Sequence, residues 1–204
     1  MHSPSPIATL LHLHTPAPAA VDVLREREAD LALQVLGVFG FAVLTALAAQ
    51  VRVYVWEVPF TLQTLAVYGS GLYLGWRNGF LAQLTYVLLG LFFPVYAGDT
   101  FGLAYFFGAP SAGYLLAFPL AALMIGALSA RWNTLSGSTL SILAGSAVVF
   151  TCGVAWLYLT TGLSLAEAVM NGWLRFLPID ILKVLSVALL YTASRQLPPL
   201  LSRR

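Results

Sequence analysis

The chain has 204 residues, 59 % of them hydrophobic and 9 % charged, and a net charge of +2. An average soluble domain is roughly 25 % charged, so this composition excludes an ordinary water-soluble protein, and no nucleic-acid partner is expected from so small a net charge. A single cysteine, Cys152, excludes an internal disulfide framework.

Residues 1–30 differ from everything after them. "SPSPIATLLHLHTPAPAA" is rich in proline and alanine, "REREAD" mixes charges, and His2, His12 and His14 all fall here. Arg25 is the first basic side chain, too late for the charged start of a secretory signal. The segment reads as a weakly ordered leader, and residues 31–204 as one membrane domain.

Six apolar segments follow: 31–52, 62–76, 79–97, 112–130, 137–161 and 174–194. Hydrocarbon offers no hydrogen-bond partner, so a segment crossing it must satisfy its own amides, which a helix does. Barrel strands would alternate apolar and polar residues, and these segments do not. The expected fold is an all-α integral membrane protein of six transmembrane helices. Segment one carries Ala42, Ala46 and Ala49 at helical spacing, a small-residue face on which another helix can pack. Gly71 and Gly75 give the short second segment the same property. Between segments three and four, "AGDTFGLAYFFGAPSAG" is a loop rich in glycine and aromatics, suited to folding sharply over a ligand. Trp56, Trp76, Trp132 and Trp173 mark segment ends, the level an indole ring prefers in a bilayer.

Arginine placement orients the chain. With a cytoplasmic amino terminus, the inner side holds Arg25, Arg27, Arg77, Arg131, Arg195, Arg203 and Arg204, against Arg52 and Arg175 outside. Both termini are therefore expected in the cytoplasm, which agrees with an even number of crossings.

The last segment, "FLPIDILKVLSVALL", holds Asp180 and the only lysine, Lys183. On this map Lys183 lies nine residues inside the outer end of its helix, about 13 Å deep at about 1.5 Å per residue. A lone charge there costs about 2.5–3.5 kcal/mol. Asp180 is three residues earlier, on the same helical face, where pairing lowers the cost for both. The pair is either a structural ion pair or part of a site for a small polar ligand entering from outside. Thr61, Gln63 and Thr64 lie at the same outer level.

No energy source is visible. A phosphate-binding loop needs G-x-x-x-x-G-K-[ST], which one lysine at position 183 cannot supply. No Cys/His set is present for a metal, no nucleophile has a base beside it, and no cofactor motif appears, so neither an enzyme nor a cofactor is expected.

Three stretches carry a family resemblance: "PFTLQT" at 59–64, "YVLLGLFFPVYAG" at 86–98 and P-x-D-x-x-K at 178–183. Together with the intervening residues of 58–131, they resemble BioY, the biotin-binding S component of energy-coupling factor (ECF) transporters. That resemblance implies a six-helix fold whose outer loops close over biotin. It implies partners besides membrane lipid: a transmembrane T component and two ATP-binding subunits, which would supply the missing energy. It implies that Asp180, Lys183, Thr61, Gln63, Tyr86 and Tyr114 contact biotin, and that Ala42 and Ala46 form an Ala-x-x-x-Ala face docking the T component. One departure is "GAPSAGY" at 108–114, where the family usually reads "GPTGGY".

Overall fold

The computed structural model describes residues 20–25, 29–54, 57–98, 100–132 and 134–195. The three histidines and Trp56 lie outside the described residues. Helix α1 spans Leu31–Gln50 and starts on Asp30, whose carboxylate accepts from the Ala32 amide at 2.9 Å. A two-residue antiparallel ladder follows, β1 (Arg52–Val53) with β2 (Phe60–Thr61), pairing Arg52 with Thr61. Then come α2 (Gln63–Leu89), a short α3 (Leu103–Gly108), α4 (Ala112–Ser129) and α5 (Leu135–Thr161). The Thr134 side chain accepts from the Gly137 amide to open α5, and Gly162 ends it in the left-handed region at φ 73°. A Ser164–Glu167 capping box opens α6 (Leu165–Val169), a π-turn covers Met170–Leu174, and α7 runs Leu177–Arg195.

Among the described residues, four helical stretches are long and apolar enough to cross a membrane: Leu31–Gln50, Ala112–Ser129, Leu135–Thr161 and Leu165–Arg195. Helix α2 is not one of them because it buries polar groups, Gln63, Ser70, Asn78 and Gln83. It is also not one rod. Gln63 Nε2 donates to Tyr86 Oη at 2.7 Å, whereas 23 residues of straight helix span about 34 Å. The chain reverses at Gly75, at φ 73° and ψ −176°, in a region open essentially to glycine alone. Limbs 63–74 and 76–89 thus run antiparallel, and they match the second and third apolar segments. Gly71 packs closely as expected, since a β-carbon there would meet the Ala122 carbonyl of α4 at 2.8 Å. Gly75 instead makes the turn.

The third segment ends earlier than the sequence suggests. Residues 90–97 are turns rather than helix, although they are strongly apolar. The Tyr96 ring folds back over Gly90, where a β-carbon would lie 1.9 Å away, and its hydroxyl donates to the Val87 carbonyl at 2.5 Å. Pro94 lacks an amide proton and cannot continue the ladder. Apolarity alone does not distinguish a spanning turn of helix from a loop tucked over a helix end.

The expected leader is partly structured. Residues 20–25 form a 3-10 turn docked on one end of the bundle. Asp22 accepts from Arg195 Nε at 2.9 Å and from the Tyr191 hydroxyl at 2.9 Å. Arg25 donates to Tyr191, to Ser129 Oγ at 3.0 Å and to the Gly126 carbonyl at 3.3 Å. Arg25, Arg77, Arg131 and Arg195 therefore share this end, while Arg52, which bonds the Gly98 carbonyl at 2.9 Å, lies at the other.

The small-residue face of α1 packs in part against its own bundle. Ala42 and Ala49 are fully buried, and Ala46 is packed against the core. Their size lets the second limb of α2 come close enough for Gln83 Nε2 to donate to Thr45 Oγ1 at 3.2 Å. Leu36, Phe39, Val43 and Leu47 face outward from α1.

A candidate ligand cavity around Asp180 and Lys183

Asp180 lies in the first turn of α7 and is 3 % exposed. Its Oδ1 accepts from the Tyr68 hydroxyl at 2.6 Å, and its Oδ2 accepts from the Ser146 hydroxyl at 2.5 Å. Lys183 stands three residues on. Its ammonium donates to the Thr61 carbonyl at 2.7 Å and to Thr64 Oγ1 at 3.0 Å. The two charges are thus satisfied separately, and no direct ion pair joins them among the described residues. An ammonium has three donors and an ionised carboxylate about four acceptor positions. Each group keeps capacity for a ligand.

Both groups line one cavity of about 50 Å³, roughly enough for a few waters. Its polar rim is Thr61, Gln63, Thr64 and Ser111, and its apolar wall includes Leu115, Phe118, Phe150 and Phe176. Phe60 stacks on Phe176 with ring centroids 4.1 Å apart, tying β2 to the start of α7. The outer loop closes the remaining side with Ala97 and Tyr105. Burial pushes the Tyr96 and Tyr105 phenols up to about 12, so both stay neutral through the physiological range. The Tyr105 hydroxyl shares a 2.7 Å hydrogen bond with Ser111.

Of the residues expected from sequence, Asp180, Lys183, Thr61, Gln63 and Tyr114 line this cavity. Tyr114 contributes its ring, because its hydroxyl already donates to the Gly172 carbonyl at 2.8 Å. Tyr86 does not line it. It is fully buried behind Gln63, accepting from that amide and donating to the Val95 carbonyl at 3.2 Å. Its place is one bond behind the rim, which a motif cannot reveal. Sequence reasoning missed Tyr68, Ser146, Tyr105 and Ser111. The one available signal was that a buried carboxylate requires donors, and the sequence does not say from which helix they come.

A helical bundle with outward apolar faces and several helices of crossing length defines a multi-pass cell-membrane protein, and the cavity bearing a carboxylate and an ammonium is its candidate ligand site. The family model described as "BioY family" matches residues 22–199, and the chain belongs to that family. It is 35 % identical over 151 residues to a "Probable biotin transporter BioY" of Pyrococcus horikoshii, covering 74 % of this chain and 88 % of the relative. It is 35 % identical over 163 residues to "Biotin transporter BioY2" of Lactococcus lactis subsp. cremoris, covering 78 % and 86 %. The "Biotin transporter BioY" of Thermotoga maritima is 33 % identical over 151 residues, covering 74 % and 88 %. Among solved structures, the S-component for biotin from an ECF-type ABC transporter superposes with a TM-score of 0.74 at 21 % identity, covering 82 % of this chain and 93 % of that one. At that identity the likeness is one of fold.

Proposed function

We propose that this protein is the biotin-capturing S component of an ECF transporter, taking biotin from outside and passing it inward with a T component and two ATP-binding subunits. The observation that carries the reading is the joint exposure of Asp180 and Lys183 to one cavity, each with hydrogen-bonding capacity left over. A ureido ring offers N–H donors to a carboxylate, and an ammonium suits a carboxylate or carbonyl oxygen. The aromatic wall suits the thiophane ring and the valeryl chain. Small-molecule sites run about 300–1,000 Å³, so a cavity of about 50 Å³ must widen on loading. The loop carrying α3 and the segment around β2 with Val58, Pro59 and Thr61 are parts of the lining outside the main helices.

In the same reading the chain crosses the membrane six times with both termini in the cytoplasm. The reversal at Gly75 supports this, since each limb of α2 then makes its own pass, and so does the gathering of four arginines at one end. ATP-driven partners, which the family likeness suggests, would supply the energy that no motif in the chain provides.

The test is direct binding. Protein purified in detergent should bind biotin in a calorimetric titration and prefer it over a panel of other vitamins. A panel in which biotin fails and another vitamin binds would replace biotin by that vitamin.

A further inference from the structure

Resting on the reading that Asp180 meets the ligand, we propose that Tyr68 and Ser146 are positioning residues that fix the Asp180 carboxylate and so make this part of the site select for N–H donors. Neither residue lines the cavity. Tyr68 belongs to the first limb of α2 and is fully buried, and Ser146 belongs to α5 and is 6 % exposed. Any influence they have on a ligand therefore passes through Asp180.

A carboxylate on a single methylene rotates freely unless its oxygens are held. Here each oxygen is held by a different helix, at 2.6 Å from Tyr68 and 2.5 Å from Ser146. Charge-assisted bonds this short are roughly twice as strong as neutral ones. They set the plane of the carboxylate and leave each oxygen a remaining lone pair for the cavity. Both neighbours donate, so Asp180 acts as an acceptor on every side. A ligand atom that itself only accepts would set its lone pair against the remaining lone pair of a buried carboxylate oxygen, an unfavourable mismatch. The hydroxyls thus convert a flexible charge into an oriented test for a donor.

The rival role for Tyr68 and Ser146 is a plain staple of three helices, and a double-mutant cycle separates the two. The experiment uses the full chain in detergent, with biotin affinity from calorimetry and the melting temperature without ligand. Tyr68→Phe and Ser146→Ala should each weaken biotin binding by roughly 5- to 20-fold, and neither should weaken it further when Asp180→Asn is already present. The two variants give independent readings should one of them fold poorly. The proposal is overturned if both bind biotin as the unaltered chain does, or if their losses multiply with that of Asp180→Asn. An Asp180→Asn protein that binds biotin undiminished overturns it differently, by removing Asp180 from the ligand site altogether.

Discussion

An ammonium held in an apolar bundle must have its donors occupied, and Lys183 occupies two of them with the Thr61 carbonyl and the Thr64 hydroxyl. Removing it leaves those acceptors and the ligand unpaired. Lys183→Ala is expected to weaken biotin binding by about 2–4 kcal/mol, and Asp180→Asn by a similar amount, measured by titration calorimetry. Replacing both with apolar residues of matched size, Asp180→Leu with Lys183→Met, removes the charges without orphaning either. That protein should still fold and yet not bind biotin. Retained binding would mean the charges serve only the fold. The acid and the lysine are conspicuous in the sequence because a charge inside an apolar run stands out, whereas Thr61 and Gln63 were singled out through the "PFTLQT" stretch. Tyr68 and Ser146 are not, because a tyrosine and a serine in a helix look the same whether they face a carboxylate or a backbone carbonyl.

At the scale of elements, the sequence located the long helices among the described residues but misjudged where the third apolar segment ends. Residues 90–97 are as apolar as a helix yet form the turn under which Tyr96 buries its ring. The alanine face of α1 lets the second limb of α2 approach closely, because small side chains leave room for a neighbour. The hairpin at Gly75 was likewise readable only as a break between two segments. Its geometry makes a graded prediction. Gly75→Ala forces a side chain into a conformation costing about 1–3 kcal/mol. Gly126→Ala should cost more, because its β-carbon would meet the Trp76 amide nitrogen at 2.2 Å and the Gly75 carbonyl carbon at 2.4 Å. Those are backbone atoms of the turn itself and cannot rotate aside. Thermal unfolding in detergent should rank the unaltered chain above Gly75→Ala and Gly75→Ala above Gly126→Ala. The opposite order would mean that α4 does not seat the hairpin as described.

For the whole molecule, the end that gathers arginines is also the end that residues 20–25 clasp. Asp22 joins Arg195 and Tyr191 across 173 and 169 residues of sequence, so this contact ties the amino-terminal turn to the end of α7. Asp22→Ala should lower stability by about 1 kcal/mol, and its effect should shrink when Arg195→Ala is already present, since both remove the same pair. The clasp also bears on how the chain sits in the bilayer, because it sets Arg25 and Arg195 beside Arg77 and Arg131 at a single membrane face. In the orientation proposed above, from the positive-inside rule, that face is the cytoplasmic one. Helix α5 then runs outward from Thr134 to Gly162, placing the exposed Ser136 inside and the exposed Ala166 outside. With the half-buried Cys152 changed to serine, intact cells should let a membrane-impermeant maleimide label Ala166→Cys and not Ser136→Cys, and permeabilised cells should label both. The reverse pattern would turn the site away from the outside and leave Asp180 and Lys183 facing the wrong compartment for uptake. Equal labelling of both in intact cells would mean that α5 does not cross at all.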